Sequence, residues 1–202
     1  MQEPPQEVPG LAAALHLEQE RRQLAFCDTL LPIGRAWAKQ FTAAHWVALG
    51  LIGSPFLGGN RFTPFSRPAV LEFLWIVSPD YVAGSRLRAL WFWLRNFSAV
   101  QPATARAIFD YLDAAFQDMP SGTASADRRS YYAGVASLVD LFAREYGWGD
   151  NQIMHTPLAR LYQYFRCVDK HHNPRAIMHN PSDRVLGKWQ HERAAAASKG
   201  EN

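Results

Sequence analysis

Proline and glycine punctuation constrains this chain more than any other feature. Thirteen of each are spread along 202 residues, and they cut the apolar stretches into short pieces. Runs such as AVLEFLWIV and ALWFWL are ended by Glu72, Pro79, Asp80 and Arg95, well short of the ~18 residues a membrane span needs. Within the pieces, the apolar residues recur at three and four. Thr42 is placed to cap AAHWVALGLIG, and Ser66-Arg67-Pro68 to open a helix with Val70, Leu71, Leu74 and Trp75 on its apolar side. Ser85 to Phe97 sets Leu87, Leu90, Trp91 and Leu94 on one face and Arg86, Arg88 and Arg95 elsewhere. Ile108, Tyr111, Leu112, Ala115 and Phe116 repeat the spacing. So does SYYAGVASLVDLFAREY, which Asp127 can cap and which Gly147 and Gly149 stop.

Thr156-Pro157 restarts a helix through Leu158, Leu161, Tyr162 and Phe165 to Asp169. An N-terminal helix, LAAALHLEQERRQLAF, reads as exposed and amphipathic and is broken by the LP and IG that follow. Ser182 caps a last helix, DRVLGKWQHERAAAA. Nothing alternates apolar and polar residues for long enough to predict a strand. The expected fold is all-α, a single irregular bundle of about seven or eight short amphipathic helices. Residues 1–10 form a proline-rich lead, 11–198 the helical domain with a candidate linker at 120–127, and 199–202 a frayed tail.

Hydrophobic residues at 48% and charged residues at 19% supply a core and lack the signature of disorder. Seven Trp and twelve Phe exceed what a core of this size needs, which points toward a protein partner. Residues 151–202 carry eight Lys/Arg against four Asp/Glu, and five of the seven His, so the basic character sits in the last quarter. Cys27 and Cys167 are far apart and lack a CxxC companion, arguing against a disulfide framework and for a reducing compartment. The acidic, proline-rich start is the opposite of a secretory leader. A cytoplasmic protein with no membrane segment and no cofactor is expected.

No GxSxG, HExxH, GxGxxG or Walker loop is present. The best metal constellation is Cys167 and His171, i and i+4 on one helix, with His172 or His179 returning from the next turn. A small zinc protein or hydrolase built on these residues is one alternative function. The plainer reading is a cluster of imidazoles at a helix C-terminus, favoured by the macrodipole, beside a buried free Cys. His45, beside Trp46 in an apolar helix, is either a base or a structurally satisfied imidazole. A second alternative is nucleic-acid binding through Arg184, Lys188, Trp189 and Arg193 on the last helix. For partner binding the candidates are Trp75, Trp91, Trp93 and Trp148. At about 100° per residue Trp91 and Trp93 point some 160° apart, so one of them faces either a partner or a second layer of the same domain.

Two stretches carry a family resemblance. FTAAHWVALGLIGSPFLGGNRFTPFSRPAVLEFLWIVSPDY resembles the pattern of small proteins encoded among phage and prophage tail genes, with a helix ending in GSPFL, a polar insert, and a helix ending in an LWI-S run. YYAGVASLVDLFAREYGWGDNQIMHTPLARLYQYFR resembles their later segment, with its YGW turn and second helix. The family is that of tail assembly chaperones and related tail-cassette proteins. This resemblance implies a non-enzymatic role in a bacterial host, offering apolar helical grooves to a helical partner such as a tape measure or tail tube protein. The N-terminal helix and the basic last helix have no counterpart in the pattern.

Overall fold

The computed structural model describes residues 11–58, 66–119 and 134–174. Among them lie eight α-helices: α1 (Leu11–Leu24), α2 (Ala43–Leu51), α3 (Arg67–Val77), α4 (Arg86–Asn96), α5 (Pro102–Phe116), α6 (Gly134–Tyr146), α7 (Asp150–His155) and α8 (Leu158–His172). Short 3-10 turns follow α2 at Pro55–Gly58 and α4 at Phe97–Ala99. The all-α expectation holds. The candidate linker at 120–127, the N-terminal lead, the helix after Ser182 and the tail lie outside the described residues.

One small departure lies at the breaks after α1. Strands β1 (Leu31–Ile33) and β2 (Ala36–Ala38) pair antiparallel, with Ile33 opposite Ala36. Gly34 takes φ +60, which suits the first central position of a two-residue hairpin turn. Ile33 and Ala38 point into the core, while Pro32 and Trp37 face out. Three residues per strand are too few for period-two patterning to stand out in sequence.

Helix α3 is the centre of the fold, because apolar residues follow one another around its whole circumference. Val70, Leu71, Phe73, Leu74, Trp75, Ile76 and Val77 are all buried. Helix α2 lies against it and against α7, and α4 against its far side. Pro68 occupies the first turn of α3 as expected.

The extended segment from Lys39 to Thr42 ties the layers together through its backbone. Lys39 N–H donates to Val77 O at 2.7 Å, and Lys39 O accepts from the Tyr111 hydroxyl at 2.6 Å. Phe41 O accepts from Leu158 N–H at 2.8 Å. Thus the end of α3, the start of α8 and the middle of α5 meet on one short extended segment. Around it the Phe41, Phe73 and Tyr111 rings pack edge to face, Phe41 and Phe73 at 6.0 and 6.1 Å from Tyr111.

A buried carboxylate closes the other end. Asp118, just past α5, accepts at Oδ1 from Arg22 of α1 at 3.0 Å and from Arg166 of α8 at 2.9 Å. Charge-assisted bonds of this kind fix the relative register of three helices otherwise remote in sequence.

Candidate functional site

Helix α4 has two apolar seams where most surface helices have one. Ala89, Phe92 and Trp93 recur at i, i+3 and i+4, with the polar Asn96 below them at i+7, and Leu87, Leu90, Trp91 and Leu94 recur at i, i+3, i+4 and i+7. A single packing contact covers only one stripe of a helix. The inner seam is the first: Ala89, Phe92 and Trp93 are half-buried against the core. Phe92 meets Trp75 with ring centroids 5.5 Å apart, and Tyr81, from the loop joining α3 to α4, closes on the other side of Trp75 at 5.5 Å. Gly84, at φ +76, turns the chain back for this docking.

The outer seam is therefore left in water. Leu87 is 79% exposed, Leu90 56%, Trp91 74% and Leu94 69%, and Phe97 continues the line at 51%. No residue of α4 is fully buried. Single exposed Leu residues are ordinary, but five large apolar side chains in a row make this face a candidate interaction surface. Covering each of them is worth about 1.5–3 kcal/mol. Arg67 stacks over Phe97 with its guanidinium 5.3 Å from the ring centroid and borders the C-terminal end of the row.

No family model, no curated protein and no solved structure matches the chain.

Of the tryptophans singled out in sequence, the structure sends each to a different place. Trp91 stands on the open row. Trp93 is half-buried on the opposite side of the same helix, as the angle between them requires. Trp75 is buried, only 7% exposed, and acts as the anchor beneath α4 rather than as part of an open groove. Trp148 belongs to an aromatic cluster with Phe142, Tyr146 and Tyr164, at 5.7, 5.4 and 5.6 Å. Leu87, Leu90 and Leu94 were legible as one apolar face, and the structure turns that face outward.

Among the described residues, the imidazole and thiol candidates do not gather with a third donor. Cys167 is exposed, a correction to the expectation of a buried thiol: α8 turns Leu158, Leu161 and Tyr162 inward and Cys167 onto its outer side. His171 and His172 are the last two residues of α8, with ring centroids 5.5 Å apart. His172 Nε2 lies 2.9 Å from Glu145 Oε2, and that hydrogen bond, with help from Arg144, holds the Glu145 carboxyl below its ordinary range. Among the described residues no three His, Cys, Asp or Glu side chains gather as a metal site. His179, Arg184, Lys188, Trp189 and Arg193 lie outside the described residues. No helix among the described residues is long and apolar enough to cross a membrane.

His45 is the third residue of α2 and completes a reciprocal cap. Its N–H donates to Thr42 Oγ1 at 3.3 Å, while its Nδ1 accepts from Thr42 N–H at 3.2 Å. Burial first, then the nearby charges of Lys39 and His155, lower its pKa to about 4. The neutral ring is the one that can accept at Nδ1, so His45 is committed to the cap. A separate cleft of about 250 Å³ lies between α2 and α5, lined by Trp46, Phe56, Phe109, Leu112, Phe116 and Met119 among others.

Proposed function

We propose that this is a non-enzymatic binding or assembly protein that holds a helical segment of another polypeptide along the outer face of α4. One observation carries this reading: Leu87, Leu90, Trp91 and Leu94 form a complete helix-contact repeat that no described part of the chain covers. Such a row is the complement of a partner's apolar stripe, laid ridge into groove. The rigid seat of Phe92 on Trp75 supports it, because a partner then meets a preformed surface and less ordering is required on binding.

The resemblance of the GSPFL and YGW stretches to phage tail-cassette proteins supplies the biological version of this role. The protein is then a tail assembly chaperone that keeps a tape measure protein soluble before tail tube subunits surround it. Co-expression tests this. A long coiled-coil polypeptide of the tape measure class is expected to stay soluble with the native protein and to precipitate with a Leu90→Glu/Trp91→Glu variant of unchanged helicity. Equal solubility with both proteins would overturn the reading.

A further inference from the structure

The charges that frame the outer row of α4 define its occupant. Between Asp80 and Asp110 the sequence has no acidic residue and four arginines, three of them on α4. At about 100° per residue, Arg88 and Arg95 stand one above the other along one edge of the row, beside Trp91. Arg86 lies along the other edge, beside Leu90. All three are exposed, and among the described residues none of them is in an ion pair. The first turn of α4 holds no acidic residue, so Arg86 and Arg88 stand at the positive end of the macrodipole, where cations are disfavoured. Local electrostatics is thus set against the helix and in favour of an anionic visitor.

We propose that the occupant is an acidic amphipathic helix of another polypeptide. Its apolar stripe is seated along Leu87, Leu90, Trp91 and Leu94, and its flanking Glu or Asp carboxylates are received by Arg88 and Arg95 on one side and Arg86 on the other. This rests on the docking role proposed above and adds the chemistry of the partner. Guanidinium forks match carboxylates in paired hydrogen bonds, and like charges on the wrong partner are repelled.

Other occupants fit less well. A second copy would set arginine against arginine along the shared seam. Residues 59–65, 120–133 and 175–202 each carry more Lys/Arg than Asp/Glu, the wrong sign for this frame. Residues 1–10 are acidic, but Pro4, Pro5 and Pro9 leave Val8 as their one branched aliphatic side chain, which makes no stripe. A bilayer prefers a broad plane, whereas the row is a ridge along a helix of eleven residues, roughly 16 Å at about 1.5 Å each.

The test uses the full chain and two synthetic helical peptides with the same Leu stripe, one flanked by Glu and the other by Lys, titrated by fluorescence anisotropy at low and high salt. The Glu-flanked peptide is expected to bind on the order of tenfold more tightly, with the advantage shrinking at high salt. In the R86E/R88E/R95E variant, which alters only exposed side chains, the preference should reverse. Equal binding of both peptides, abolished by Leu90→Glu/Trp91→Glu, would overturn the acidic partner and leave the docking face standing. No binding of either peptide would overturn the docking face itself. Binding to phosphatidylglycerol vesicles in place of the peptides would assign α4 to a membrane surface, and α4-dependent dimers in sedimentation would assign it to a second copy; either result overturns the proposal.

Discussion

Phe92 packs on Trp75 with ring centroids 5.5 Å apart, and this contact turns its chain neighbour Trp91 out into solvent. The two adjacent aromatics therefore have opposite duties. Phe92 holds α4 to the core, and Trp91 is left for something else.

Their substitutions should separate accordingly. Phe92→Ala is expected to destabilise the fold by about 2–3 kcal/mol, through a cavity over Trp75. Trp91→Ala should change stability by no more than ~0.5 kcal/mol, because an exposed side chain has little folded-state contact to lose. Denaturant midpoints of the two variants decide this. A Trp91 variant as unstable as the Phe92 variant would mean that the outer row is covered within the chain.

Acid should weaken the cap of α2. The pKa of His45 is lowered in the folded state to about 4 from about 6.5 in an unfolded chain. Above pH ~6.5 the ring is neutral in both states and its contribution is fully present. As pH falls from there toward 4, the unfolded chain takes up a proton that the folded chain refuses, and stability is lost, on the order of 1–3 kcal/mol. His45→Gln keeps an acceptor for Thr42 N–H without a titrating ring, so its stability relative to the native protein should rise across that interval. Denaturation at a series of pH values measures it.

The Asp118 network predicts a long-range loss. Asp118→Ala leaves Arg22 and Arg166 facing each other without their shared acceptor, and about 2–4 kcal/mol should be lost. The damage should be greatest in α1, which depends on Arg22, so limited proteolysis of the variant is expected to cut first within residues 11–24.

Gly147 and Gly149 have the same open surroundings and different backbones. Gly147 ends α6 at φ +64, while Gly149 sits at φ −76, and neither would clash with an added Cβ. Gly147→Ala should cost about 1 kcal/mol from the left-handed backbone alone. Gly149→Ala should be close to neutral. Thermal midpoints of the pair check the distinction.

Much of this architecture was legible in the sequence, because its signals are local. Thr42 caps α2, Pro68 opens α3, Gly147 ends α6, and Thr156-Pro157 separates α7 from α8, each for reasons contained within a few residues. Long-range choices were not legible. Both seams of α4 have helical spacing, and which one faces in depends on Trp75 and Tyr81, residues of another helix and its loop. The same holds for Cys167, whose exposure follows from how α8 is rolled against α5. Arg22 and Asp118, 96 residues apart, carry no spacing by which either could find the other. In the β1–β2 hairpin the one available cue was Gly34-Arg35, a two-residue turn between very short strands.

Site-specific photocrosslinking tests most directly whether the outer row of α4 receives another polypeptide. A photoreactive phenylalanine analogue at residue 94, toward the C-terminal end of the row, is compared with one at residue 51, where Leu51 is 84% exposed but far from it in sequence and on another helix. Each protein is co-expressed with the tape-measure-class polypeptide proposed above as its client. A covalent adduct at residue 94 that maps to an acidic helical segment of the client, with none at residue 51, is the predicted result. An adduct at residue 51 and none at residue 94 would contradict the central claim.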